Sequence, residues 1–248
     1  MESVRQILET WGDFACFSRP ELKVERFSYP VITPSAARGI FDAIYAKPVE
    51  FRWQIVRIEV LRRPAFLALR RNEVKEKVNV NAVLDWMNGK REPEPLFADG
   101  DRDLLGTDER GRTQRQTMAL RDVRYRLHAE IRPWPGFESR QKALEAQFRR
   151  RAEKGKCFFQ PYFGCREFPA FFRLAEPGPG AENAEPPVAD LHLDVGLMLY
   201  DVFDLSRPGT AHDRPAVSLF RAAVRGGVLD VPDYTSPDVL KAPGGTSA

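Results

Sequence analysis

A chain of 248 residues, 43% hydrophobic and 29% charged, has the composition of an ordinary globular protein, sized for one large domain or two small ones. No segment approaches a membrane span and the start has no apolar run of signal-peptide length, so a cytoplasmic protein with no membrane partner is expected. The net charge of +3 is modest, but the sequence pI is about 8.8 and arginine-rich clusters can attract a polyanion locally.

Cys16, Cys157 and Cys165 are odd in number and lack C-x-x-C spacing, which favours reduced, mostly buried thiols over disulfides. His128, His192 and His212 are far apart, so neither a metal site nor a cofactor is expected.

In chain order, Val4, Ile7, Leu8 and Trp11 suggest a first strand over residues 3–11. From Trp11 to Arg26, aromatic and basic side chains interleave, which suits base stacking beside phosphates and equally suits a half-buried loop. Thr33–Pro48 predicts a helix with both ends visible. Thr33 can cap it, Pro34 suits the first helical position, and Pro48 cannot continue it. Ala37, Ile40, Phe41 and Ile44 form its apolar face. Tyr45 and Lys47 then sit at the exit, as a packing ring with a snorkelling cation or as chemistry.

Phe51–Leu61 reads as a strand and Phe66–Val78 as another strand or hairpin arm. Residues 79–112 read as a partly ordered insertion anchored by Leu84 and Trp86. Thr117–Ile131 is the clearest strand. Ala119, Val123, Tyr125, Leu127, Ala129 and Ile131 point one way; Arg124, Arg126, His128 and Glu130 point the other. Ser139–Lys156 predicts a helix with Leu144, Phe148 and Ala152 on one face and a basic outer surface. In Phe158–Leu174, Gly164 marks an unusual backbone conformation or a close approach. Residues 176–187 read as a linker. Leu191 to Leu199 alternate as a strand, and Gly226-Gly227 sits in a hairpin-like arrangement.

The order strand, helix, strand, strands, helix, strand is the βαββαβ pattern of a ferredoxin-like or RNA-recognition fold with insertions. The expected class is α+β. Residues 1–178 form this domain, 188–234 a small C-terminal antiparallel β-sheet domain, and 235–248 a disordered tail.

The stretch Trp11-Gly12-Asp13-Phe14-Ala15-Cys16-Phe17-Ser18-Arg19-Pro20-Glu21-Leu22-Lys23-Val24-Glu25-Arg26 resembles the signature of the type I-C (Dvulg-subtype) CRISPR-associated Cascade subunit of the fifth RAMP family. Thr33–Ile40, Arg70-Arg71-Asn72-Glu73-Val74 and Gly164–Ala170 continue the resemblance in order. It implies a protein that binds the repeat hairpin of CRISPR precursor RNA, cleaves at the base of the stem, and stays on the 5′ handle beside other Cascade subunits. It also implies metal-independent chemistry, in which the RNA's 2′-hydroxyl attacks the neighbouring phosphorus. In this family a tyrosine at the end of the first helix works with an adjacent lysine–histidine pair. Tyr45 matches the tyrosine, whereas the pair falls on Arg115-Gln116. Arginine can stabilise charge in place of lysine, but glutamine cannot serve as acid or base, so His128 is a second candidate.

Lys23, Arg26, Arg38, Lys47, Arg121, Arg124 and Arg126 are the expected phosphate contacts. Two alternatives stay open. One is a non-catalytic subunit that caps the handle. The other is a general nucleic-acid binder, since duplex DNA also suits the arginine faces.

Overall fold

The computed structural model describes residues 4–22, 24–75, 77–94, 111–175, 185–209 and 215–241. They form two compact units, 1–67 with 118–248, and 68–117.

The larger unit is built on an antiparallel sheet. Its main path runs β6 (Phe171–Ala175), β1 (Gln6–Ala15), β5 (Arg112–Pro133), β3 (Phe51–Val60), β9 (Val228–Asp230), and β2 (Arg26–Phe27) also pairs with β5. Helices α1 (Pro34–Ile44) and α3 (Gln141–Glu153) pack on one face of it. Their meeting point is aromatic. Phe41, Trp53 and Phe148 lie with ring centroids 4.7–5.5 Å apart, joining α1, β3 and α3. β5 alternates as expected from Val123 onward. Val123, Tyr125, Leu127, Ala129 and Ile131 are buried on the helix side.

α1 starts as the sequence dictates: Thr33 Oγ1 accepts from the Ala36 N–H at 3.2 Å, with Pro34 beginning the helix. Its end comes earlier than Pro48. Tyr45 is already an extended cap residue. The reason is tertiary. The last carbonyls of a helix lack intrahelical donors, and here distant groups supply them. The Phe158 N–H bonds Ala43 O at 2.7 Å, Arg151 Nε bonds Ile44 O at 2.5 Å, and Trp53 Nε1 bonds Tyr45 O at 2.8 Å.

Gly164 meets both demands read from the sequence. Its φ is +80°, and a Cβ there would collide with the Cys16 carbonyl. The three cysteines are free, with Cys16 and Cys165 buried.

A second sheet in this unit has the order β10 (Val239–Lys241), β8 (Ser218–Val224), β7 (Leu193–Asp201). The Gly226-Gly227 turn follows β8, but β9 beyond it pairs with β3 in the large sheet. The alternating leucines of β7 do not face the core. Met198 and Tyr200 do, while Leu197 is 48% exposed. Polar partners set that choice: Gln54 Nε2 bonds the Tyr200 hydroxyl at 2.8 Å, and Arg38 grips Asp201 with Nε–Oδ2 at 2.7 Å and Nη2–Oδ1 at 3.1 Å.

The smaller unit contains most of β4 (Ala65–Val74), which pairs with β5, and α2 (Val80–Met87). Asn79 Oδ1 caps α2 by accepting from the Asn81 and Ala82 N–H groups. Leu84, an expected anchor, is 49% exposed, and α2 buries no residue fully. Residues 95–110 of the expected insertion and 242–248 of the expected tail lie outside the described residues. The first half of that tail is ordered instead of disordered, because Val239–Lys241 pair with β8 as β10. No helix among the described residues is long and apolar enough to cross a membrane.

Removing one partner of a buried ion pair strands the other, which costs far more than breaking an exposed pair. Arg38→Ala is therefore expected to lower the unfolding free energy by about 3–5 kcal/mol, and Arg63→Ala, which loses an exposed pair with Asp190, by at most about 1 kcal/mol. Urea unfolding measures both. Equal small losses would mean that the Arg38–Asp201 pair does not hold α1 to β7.

Candidate active site at the exit of the first helix

The carbonyl anchors at the end of α1 fix Tyr45. Its ring packs on Phe51 with centroids 5.6 Å apart, and the residue is only 5% exposed. Around it stands a ring of charge. Lys47 Nζ and Arg140 Nη1 each lie 2.9 Å from a different oxygen of Glu50. Arg151 lies over the Phe158 ring at 4.2 Å from its centroid. Trp134 Nε1 donates to Pro48 O at 2.8 Å, and its N–H bonds Glu50 O at 2.9 Å, which closes the loop beneath.

Burial pushes the Tyr45 phenol above its ordinary pKa. Lys47, Arg140 and Arg151 oppose that shift and Glu50 adds to it. The phenol is therefore neutral near pH 7 and can donate a proton or hydrogen bond. The hydrogen bond from Lys47, with Arg140 beside it, holds Glu50 below the usual carboxylate range.

His128 is elsewhere, on the sheet face turned away from the helices. Its Nε2 lies 3.0 Å from Glu59 Oε1, and Arg126 Nη1 takes Glu59 Oε2 at 2.6 Å. The neighbouring row is built alike. Arg124 and Arg173 share Glu9, at 2.6 Å (Nε–Oε1) and 2.8 Å (Nη2–Oε2), and Arg124 also pairs with Glu185 at 2.8 Å. Burial raises the Glu9 carboxyl, but hydrogen bonds from Arg173 and Arg124 outweigh it and the pKa is lowered. Glu59 is lowered in the same way, burial being outweighed by His128 and Arg126.

The remaining expected site residues are scattered. Arg38 is largely buried between Asp201 and Asp42, and this commitment, not a phosphate, occupies its guanidinium. Arg26 reaches Glu167 at 3.2 Å and Cys165 Sγ at 3.3 Å. Arg121 is exposed on β5. Arg115 and Gln116 lie within β5 itself, in the part belonging to the smaller unit. Lys23 lies outside the described residues.

Glu50, Arg140 and Arg151 complete the Tyr45 surroundings and were not assigned to the site from sequence. The i,i+3 pair Lys47–Glu50 was legible there. Arg140 reads as one more charge on a solvated helix, and nothing local marks Arg151.

Residues 7–232 match the family described as CRISPR-associated protein (Cas_Cas5), by the Cas5d model. A protein of Mannheimia succiniciproducens is 39% identical over 236 residues, covering 94% of this chain and 97% of its own. One of Thermus thermophilus is 41% identical over 239 residues, covering 91% and 90%. Both are named CRISPR pre-crRNA endoribonuclease Cas5d. The crystal structure of a CRISPR-associated protein superposes with TM-score 0.60 at 18% identity, covering 96% of each chain. That of the functionally uncharacterized SMU1763c from Streptococcus mutans gives 0.59 at 19%, covering 96% and 97%. The fold is thus shared with CRISPR-associated proteins, and the chain belongs to the Cas5d family.

The lowered pKa values of Glu9 and Glu59 have a consequence for stability. A carboxylate with a folded pKa below its unfolded value, about 4.3, contributes stability that is complete above that value and drains as pH falls through the folded one. Urea unfolding between pH 6 and pH 3 should show stability falling with acid. The fall should be shallower in a Glu9→Gln, Glu59→Gln double variant. An equal fall in both proteins would mean the two carboxylates contribute nothing through their arginine and histidine partners.

Proposed function

We propose that this protein cleaves CRISPR precursor RNA at its repeat hairpin without a metal, and stays on the 5′ handle as a subunit of the type I-C surveillance complex. The observation that carries this reading is the Tyr45 phenol, held at the exit of α1 among Lys47, Arg140 and Arg151 in a Cas5d chain. The sheet order β6-β1-β5-β3, with α1 and α3 between sequential strands, supports a ferredoxin-like core.

In the proposed reaction the 2′-oxygen forms a bond to the adjacent phosphorus, and the bond to the 5′-oxygen breaks. The product strand ends in a 2′,3′-cyclic phosphate. The attacking hydroxyl gives its proton to solvent water and the leaving oxygen gains one, so the protons balance. A buried, protonated phenol suits donation, to orient the reacting phosphate or to supply the leaving oxygen. Lys47 and Arg140, held ready by Glu50, favour the charge that grows on the phosphorane. Arg115 keeps the cation's role that the family resemblance implies.

Arg26, Lys47 and Arg121 are the proposed phosphate contacts, since the cations of the Arg26–Glu167 and Lys47–Glu50 pairs are more exposed than Arg124 and Arg126 and can exchange partners. Arg124 and Arg126 are already neutralised by Glu9 and Glu59, which argues against a general binder of duplex DNA driven by this face. A non-catalytic handle-capping role is the second reading, favoured by Gln116 where the family pattern has histidine.

Single-turnover cleavage of the protein's own repeat RNA in chelator separates them. Tyr45→Phe keeps the ring, so it should slow cleavage about 100-fold while leaving affinity intact. Arg115→Ala should cost a similar factor in rate and little in binding. A wild-type rate in Tyr45→Phe contradicts the catalytic role. A rate that collapses instead in His128→Ala, with binding intact, moves the acid–base chemistry to the sheet face. For the contacts, Arg121→Ala should lower the salt slope of binding by roughly one ion, and an unchanged slope would remove it from the interface.

A further inference from the structure

We propose that the open face of the large sheet carries a separate site for one unpaired nucleobase, stacked on Trp11 and Phe171. The inference rests on the RNA reading above and adds a contact that the cleavage site does not contain. Trp11 of β1 and Phe171 of β6 are direct cross-strand partners. Their rings are stacked, with centroids 6.3 Å apart and planes 27° from parallel. They are 37% and 49% exposed, whereas Phe41, Trp53 and Phe148 on the helix side are almost wholly buried. A stacked aromatic pair left in water on a sheet face is a platform for a third ring.

The rim of the cleft narrows the choice of ligand. The cleft opens beside Trp11, with a volume of about 230 Å³ and Trp11, Asp13, Arg62, Arg124 and Arg173 in its lining, while Phe171 extends the aromatic surface on the other strand outside that lining. That volume is below the ~300–1,000 Å³ of sites for drug-sized ligands, and fits one planar ring system better than a larger molecule. Glu9 fixes Arg124 and Arg173 from beneath, and Arg62 pairs with Asp122 at 2.6 Å. The rim therefore offers guanidinium donors and carboxylate acceptors side by side. A run of phosphates calls for unopposed cations. The edge of a base presents donors and acceptors together, which is what this rim matches. A base within a duplex has both faces covered by its neighbours, so the occupant is unpaired.

The test is binding of the protein's own repeat RNA, scanned with single abasic substitutions at its unpaired positions. Wild type should lose about tenfold in affinity at one position, and Trp11→Ala should lose about the same with intact RNA. On the RNA abasic at that position, Trp11→Ala should add no further loss. Trp11→Phe, which keeps a ring, should restore most of the affinity. The salt slope should stay unchanged in Trp11→Ala, because no phosphate contact is removed. Unaltered RNA affinity in Trp11→Ala overturns the proposal and leaves the patch to a protein partner. A loss that adds equally to every abasic position also overturns it, since it points to altered folding and not to one stacked base. If wild type does not bind the repeat RNA at all, the proposed function fails and this inference with it. Failure in Trp11→Ala alone, with cleavage normal, leaves that function standing.

Discussion

The exit of α1 is where the architecture and the proposed chemistry meet. A helix that ends among buried residues must find donors for its last carbonyls. This one takes them from the Phe158 backbone, the Arg151 guanidinium and the Trp53 indole. Those donors come from three other parts of the chain, so the helix stops only where α3, β3 and the segment after α3 have already packed. Tyr45 inherits a fixed position from that arrangement. Its burial keeps the phenol neutral, and the same packing brings Arg140 to Lys47 and Glu50. Preorganised charge of this kind needs no rearrangement when charge develops on a substrate.

The opposite face of the sheet obeys a different constraint. β5 alternates, so burying Val123, Tyr125, Leu127, Ala129 and Ile131 forces Arg124, Arg126 and His128 onto the other side. Half-buried polar and charged groups need partners. Glu9 and Glu59 supply them from the two neighbouring strands and tie β1, β3, β5 and β6 together by their side chains. The face thus carries many charges and little unopposed charge. Aromatic surface at Trp11 and Phe171, more than electrostatics, distinguishes it.

Much of this was legible in the sequence where the signal was local. Thr33-Pro34 marked the start of α1, and the period of two in β5 marked its two faces. The end of α1 was not legible, because Pro48 is a local stop whereas the operative one is Arg151, 107 positions away. The first residues of β5 were missed because Arg112 to Gln116 are all polar, so their alternation between exposed and half-buried leaves no hydrophobic pattern in the sequence. In β7 the leucines announced a strand but not its orientation. Tyr200 and Asp201 turned inward because Gln54 and Arg38 awaited them. The site divides in the same way. Tyr45 and Lys47 stood out by position, Glu50 only by its spacing from Lys47, and Arg140 and Arg151 joined them through tertiary packing. Arg38, which sequence offers as a phosphate contact, is consumed by that packing.

In the proposed reaction the RNA's own 2′-hydroxyl is the nucleophile. The most direct measurement replaces that single hydroxyl with hydrogen at the scissile nucleotide of the repeat RNA and follows cleavage in chelator, with the end group of the product analysed in parallel. Unmodified RNA should yield a 2′,3′-cyclic phosphate, and the 2′-deoxy RNA should bind with unchanged affinity and stay uncut. Cleavage of the 2′-deoxy RNA at the same bond would contradict the proposed reaction.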